Sequence, residues 1–155
     1  MVISSGLLLY RRSTNGELEV LLGHMGGPLW AHKHEHAWSI PKGLAEVGET
    51  DLLAVAEREF DEEMGSRAPN APTIELGSVP SGSKTITIFA REGDFDAENA
   101  SSNTFSMEWP RGSGKFGDFL EIDRAEWVPV SNATTYLTKG QGPFVQRLVD
   151  ALAAD

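Results

Sequence analysis

The chain has no cysteine among its 155 residues. Disulfide staples, thiolate metal centres and cysteine nucleophiles are therefore excluded. It also lacks a hydrophobic run that could cross a bilayer, which takes about 20 apolar residues. The apolar start, Ile3 to Tyr10, carries its charges, Arg11 and Arg12, after the run. A secretory signal carries them before it, so this segment reads as a strand and the protein as cytoplasmic, without a membrane partner. Positive charge is scarce as well: 13 Lys and Arg stand against 23 Asp and Glu, a formal net charge of −10. Nonspecific nucleic-acid binding relies on basic patches, and this balance argues against it. Any anionic ligand has to be met by bound cations and by a few placed basic residues, among them Lys42, Arg58, Lys84 and Lys115.

What is present is ordinary for a globular chain, 40% hydrophobic and 23% charged residues. That length supports one core, so residues 1–155 are expected to form a single domain. Two strands, 3–11 and 18–24, flank Ser13-Thr14-Asn15-Gly16, where Asn-Gly favours a hairpin. Trp38-Ser39-Ile40 reads as a short strand running into a loop, Pro41-Lys42-Gly43. Thr50 or Asp51 can cap a helix that Gly65 stops, with Leu53, Ala56, Phe60 and Met64 as its apolar face. Further strands are expected at 73–79, 84–91, 104–109 and 125–130, separated by polar loops at 93–103 and 110–117. Ser131 can cap a helix to about Lys139, and 143–153 reads as a terminal helix. Strands interleaved with helices make an α/β layered domain.

The most informative stretch is Arg58-Glu59-Phe60-Asp61-Glu62-Glu63. On a helix, Glu59, Glu62 and Glu63 fall at i, i+3 and i+4, so three carboxylates share one stripe. Like charges so spaced cost a helix a few tenths of a kcal/mol per pair, roughly. A hard divalent cation turns that cost into binding, because magnesium prefers oxygen ligands.

Gly43, Glu49, Arg58, Glu59, Glu62, Glu63 and Gly65 together resemble the Nudix box, G-x5-E-x7-R-E-U-x-E-E-x-G-U, with U aliphatic. Eight residues, Thr50 to Glu57, separate Glu49 from Arg58 where the pattern has seven, and Ser66 fills the last position. The extra residue falls near the expected helix start, where a loop can absorb it. The resemblance implies a mixed sheet between helices, an α/β/α sandwich. It implies a hydrolase that uses Mg2+, or Mn2+ in its place, to open a phosphoanhydride in a nucleoside diphosphate linked to another group. Such substrates include nucleoside triphosphates, ADP-ribose, nucleotide sugars and dinucleoside polyphosphates. Glu59 and Glu63 would be the most direct metal ligands, Glu62 a further one, and Gly43 would offer its carbonyl. Arg58 would hold a glutamate in place, and Glu49 would tie the loop to the helix. The general base would come from the box or from a later loop, where Glu121 is preferred to Glu108.

Other residues leave choices open. Lys42 and Lys84 are candidates for the diphosphate, and Trp30 and Trp109 for stacking on a base or sugar. Trp38 and Trp127 fall in strands and are expected in the core. His32, His34 and His36 alternate, so an extended chain would aim them one way, as a zinc or nickel site or simply as an exposed loop. Pro80 stands near a position where ADP-ribose hydrolases of the family carry proline, and is equally an ordinary turn residue. Tyrosine is confined to Tyr10 and Tyr136, which disfavours a dinucleoside-polyphosphate substrate slightly. An isomerase of the isopentenyl diphosphate type needs a cysteine that this chain lacks. A non-catalytic nucleotide sensor remains the alternative, and a homodimer is compatible with the sequence.

Overall fold

Four consecutive apolar residues, Leu7 to Tyr10, are too many for a strand with one wet face. The computed structural model, which describes residues 2–154, accordingly places β1 (Val2–Arg12) inside a mixed seven-stranded sheet. Leu7 and Leu9 belong to the core on one face, Leu8 and Tyr10 to the core on the other. The turn at Gly16, where φ is 84°, returns the chain antiparallel into β2 (Leu18–Met25).

β1 and β2 pair only at the turn end, from Arg12↔Leu18 to Tyr10↔Val20, and then part. The freed edge of β2 is taken by β3 (Trp38–Ser39) and that of β1 by β4 (Lys42–Leu44). Pro41-Lys42-Gly43 was expected as a loop, but Lys42 and Gly43 already belong to a strand. Unsatisfied groups along β1 recruit it: the Leu7 N–H donates to the Pro41 carbonyl at 3.0 Å. Gly6 makes room, since a Cβ there would stand 2.5 Å from that same oxygen.

The chain continues through α1 (Leu52–Met64), β5 (Thr73–Ser81) and β6 (Lys84–Glu92). β6 pairs parallel with β1 and antiparallel with β5. β7 (Thr104–Glu108) and β8 (Phe116–Leu120) form a separate ribbon, and β9 (Ile122–Pro129) lies along β2. β8 was not foreseen, because Gly117 and Asp118 are poor strand formers; it exists because half-buried Phe119 pairs with Phe105. α2 (Val130–Tyr136) follows Pro129, and Ser131 does not cap it: its hydroxyl donates to Glu17 at 3.3 Å. That helix stops short of Lys139 because Leu137 turns extended to bridge Trp38. α3 (Pro143–Ala153) closes the described chain.

α1 covers one face of the sheet, packing Ala56, Phe60 and Met64 on Leu7, Leu9, Leu21 and Phe89. α2 and α3 cover the other, packing Ala133, Phe144 and Leu148 on Leu8, Val20, Leu22 and Ile88. Each buried Leu or Phe contributes about 1.5–3 kcal/mol, so both layers are held by apolar burial. The result is the expected α/β/α sandwich. On α1, Val55 is fully buried where Leu53 was expected, and Leu53 is half-buried. No helix among the described residues is long and apolar enough to cross a membrane.

Candidate active site

α1 is fixed at both ends, which sets the rotation of its carboxylates. Asp51 Oδ1 accepts from the Ala54 N–H at 3.2 Å, and Gly65, at φ 83°, donates to the Asp61 carbonyl at 2.8 Å. The flank between the core face and solvent then carries Arg58, Glu59, Glu62 and Glu63. Glu59 is 9% exposed. Glu63 Oε1 accepts from the Lys42 N–H at 3.1 Å. Gly43 lies against Glu59 so closely that a Cβ would stand 2.1 Å from its Oε1. The opening between β1 and β2 is what brings Lys42 and Gly43 here.

Arg58 organises the charges. Its Nη2 donates to Glu49 Oε1 at 2.7 Å and its Nη1 to Glu59 and Glu62 at 3.3 and 3.2 Å. The three carboxylates hold the guanidinium protonated more firmly than usual, Glu49 foremost. Glu49 also accepts from the Glu46 N–H at 2.7 Å, and that bond, with Arg58, lowers its own pKa. Glu49 reaches Arg58 across the eight-residue spacer, whose helical part begins at Leu52.

Burial pushes Glu63 up to about 8, against the opposing pull of the Lys42 N–H and ammonium. It also raises Glu59, with the neighbouring charge of Glu62 adding to it. Glu121 is raised too, by burial first and Glu62 second, and Lys42 is lowered, mainly by burial. Carboxylates whose charge is disfavoured by burial and by one another are chemically suited to a hard cation. Gly43, lacking a Cβ, lets the Glu59 carboxylate lie against its backbone. Among the described residues no three His, Cys, Asp or Glu groups converge as a ready metal cage; Arg58 holds Glu59 and Glu62 in their present positions.

A cavity of about 280 Å³ opens beside this cluster. Lys42, Glu63 and Glu121 line its charged end, and Met25, Leu29, Trp30, Phe105, Met107 and Ile122 supply apolar walls. Of these walls, sequence reasoning singled out Trp30 alone. The alternation of Phe105 and Met107 along the expected strand 104–109 was the available signal for two others.

Glu121 is placed by backbone bonds. Its N–H donates to the Asn103 carbonyl at 2.9 Å, and its carbonyl accepts from Gly26 at 2.9 Å. Asn103 in turn donates to the Glu62 carbonyl at 3.2 Å, so box helix, Glu121 and cavity wall are linked in series. Gly26 allows the approach, as a Cβ there would meet the Leu120 carbonyl oxygen at 1.8 Å.

The other candidates lie elsewhere. Glu108 accepts from the Gly112 and Gly114 N–H groups at 2.9 and 3.1 Å, folding the ribbon's tip, where exposed Lys115 also lies. Lys84 starts β6, outside the cavity, and reaches the site only as a charge that lowers the Lys42 pKa. Trp109 does not line that cavity but a neighbouring cleft, with Pro28, Phe119 and Leu120. Trp38 is fully buried, whereas Trp127 is half-buried with the Arg11 guanidinium 4.1 Å from its ring. The histidines do not act as a set. His34 packs edge-on against Tyr136 at 4.6 Å, while His36, turned to φ 56°, places Nδ1 2.8 Å from the Leu137 carbonyl. The chain there is not extended, so alternation does not align them.

Solved structures share this fold at low identity. A C. elegans Ap4A hydrolase in a binary complex matches with TM-score 0.65 at 20% identity, over 100% of both chains. The NUDIX domain of Shewanella oneidensis NrtR, complexed with ADP ribose, matches with TM-score 0.62 at 12% identity, over 97% of this chain and 87% of that one. The M. smegmatis Nudix hydrolase RenU gives 0.59 at 21%, over 97% and 85%. Comparison with curated proteins found no match. The family model of the NUDIX domain, however, matches residues 4–148, a span that takes in the glycine loop, the carboxylate helix and Glu121 alike, and the chain belongs to the Nudix family.

Proposed function

We propose that the protein is a divalent-metal-dependent hydrolase that opens a phosphoanhydride in a nucleoside diphosphate linked to a further group. The observation that carries this reading is the cavity, whose lining combines Lys42, Glu63 and Glu121 with Trp30, Phe105 and Met107. Charged groups and aromatic rings lining one cavity suit a diphosphate attached to a base. The structural likeness to an Ap4A hydrolase and to a domain complexed with ADP ribose favours a nucleotide of this kind.

Glu59, Glu62 and Glu63, with the Gly43 carbonyl, would hold Mg2+ or Mn2+. Such an ion supplies Lewis-acid charge neutralisation to the diphosphate and acidifies water. Lys42 adds a fixed cation for the phosphate oxygens. Arg58 keeps Glu59 and Glu62 oriented. Glu121 takes the proton from the attacking water; burial and the Glu62 charge raise its pKa, which strengthens it as a base. Trp30 and Phe105 hold the base or sugar by face and edge contact.

The test is incubation with a panel of nucleoside triphosphates, ADP-ribose, nucleotide sugars and dinucleoside polyphosphates, with released phosphate products measured. The expected result is magnesium-dependent turnover of at least one compound, lost on chelation and in Glu63→Gln. Binding without turnover would support the alternative, a nucleotide sensor. That alternative draws on the extra residue between Glu49 and Arg58.

A further inference from the structure

His24, on β2, has no exposed surface, and both its ring nitrogens face acceptors. Nε2 lies 2.6 Å from the Lys33 carbonyl oxygen and Nδ1 2.8 Å from Oδ1 of Asp123. A carbonyl can only accept, so Nε2 carries the hydrogen in the first contact. The ring stands edge-on to buried Trp38 at 5.1 Å, which leaves it little freedom to turn. The position is also where the pairing of β2 with β9 shifts register, between His24 and Met25.

What the ring joins gives it meaning. Lys33 ends the turn that carries Trp30: the Trp30 N–H donates to the Gly27 carbonyl at 3.2 Å, and the Lys33 N–H to the Trp30 carbonyl at 2.9 Å. The Lys33 ammonium lies 5.3 Å from the Trp30 ring centre. Asp123 follows Glu121 by two residues on the strand that leaves the site. Residues 31–35 are exposed, while Trp30 is half-buried against the core and His34 packs on Trp38 and Tyr136; the His24 contact adds a fixed backbone point to that packing. His24, Lys33 and Asp123 do not themselves line the cavity.

We infer that His24 is a positioning residue for the substrate: in contact at once with the Lys33 carbonyl and the Asp123 carboxylate, it sets the Trp30 wall relative to Glu121. The inference rests on the reading of the cavity as a nucleotide site. It assigns His24 to affinity for the aromatic part of the ligand rather than to the chemical step. Loss of the ring would free the turn, let Trp30 swing, and leave the Lys33 carbonyl without its buried partner.

The probe is ADP with magnesium, its binding followed by calorimetry, together with KM and kcat for a compound the protein turns over. In His24→Gln, ADP binding should weaken about tenfold and KM rise in step, with kcat within about threefold. The decisive readout is the double variant. If His24 acts through Trp30, His24→Gln with Trp30→Ala should bind no more weakly than Trp30→Ala alone. Asp123→Ala, at a side chain 29% exposed, should reproduce the pattern even where the buried substitution fails to fold. Additive losses, unchanged affinity, or a fall in kcat alone would overturn the inference and leave the nucleotide reading standing. Failure of the unaltered protein to bind ADP would instead overturn that reading, and this inference with it.

Discussion

Gly43 and the carboxylate of Glu59 occupy adjoining space with no room for a side chain between them: a Cβ on Gly43 would stand 2.1 Å from either the carboxyl carbon or Oε1. Gly43→Ala should therefore displace Glu59 while leaving both hydrophobic layers intact. Misplacement by about 1 Å in a reacting site can cost roughly 10²-fold, and turnover should fall by that order with the melting temperature little changed. Activity near that of the unaltered protein would show that Glu59 does not need its present position.

The buried carboxylates make a metal-free protein sensitive to pH. Glu63 titrates at about 8 when folded against 4.5 ordinarily, so the native state keeps a proton that the unfolded chain has released. Its stability contribution is then full below about 4.5 and is lost as the pH rises to about 8. Thermal melts in chelator should show Tm falling across that window, each kcal/mol lost appearing as about 2–4 °C. Millimolar magnesium should flatten the slope and raise Tm at the alkaline end, by binding the ionised folded form. A Tm indifferent to both pH and magnesium would identify a solvated acidic face.

Arg58→Lys keeps the charge but not the fork. An ammonium cannot reach Glu49, Glu59 and Glu62 together as the guanidinium does. Metal affinity should drop about 10–100-fold, the usual effect of losing a residue that orients ligands. Titration with Mn2+ followed by electron paramagnetic resonance measures it. Unaltered affinity would reduce Arg58 to a tether for Glu49.

Glu121→Gln should lower kcat by about 10²–10⁴ with Mn2+ affinity unchanged, since Glu121 lies outside the box. Glu108→Gln should leave kcat nearly intact, because its carboxylate is engaged by Gly112 and Gly114. A large loss at Glu108 with little at Glu121 would reverse the assignment. Small effects at both would direct attention to Glu62.

Some of this site was legible in the sequence and some was not, for physical reasons. α1 could be read because cap, apolar face and stop are all local: Asp51, Phe60 and Gly65 each act within a few residues. The β1–β2 hairpin was legible for the same reason. The strand at Lys42–Leu44 was not, because it exists only where β1 and β2 part, and that parting involves residues far apart in the chain. Lys84 and Trp109 are residues of the right type, yet neither lines the cavity, since type does not report direction. Phe105 was passed over as one apolar residue in a polar neighbourhood, and its ring finds its place only because Gly27, at φ 90°, leaves room for it.

The bond from the Glu121 N–H to the Asn103 carbonyl, at 2.9 Å, closes the base of the β7–β8 ribbon. Everything between those two residues is a loop whose ends are already stapled together. The ribbon can therefore lengthen, shorten or exchange its aromatic residues without moving the carboxylate that follows it. Phe105 and Met107 sit inside the staple and line the cavity; Glu121 sits at its edge, tied to the box helix through Asn103. Under the proposed function, the rings that would meet the ligand and the carboxylate that would activate water are thus carried on two sides of one staple. A change confined to the ribbon would alter the first while the Asn103 bond keeps the second beside the box helix.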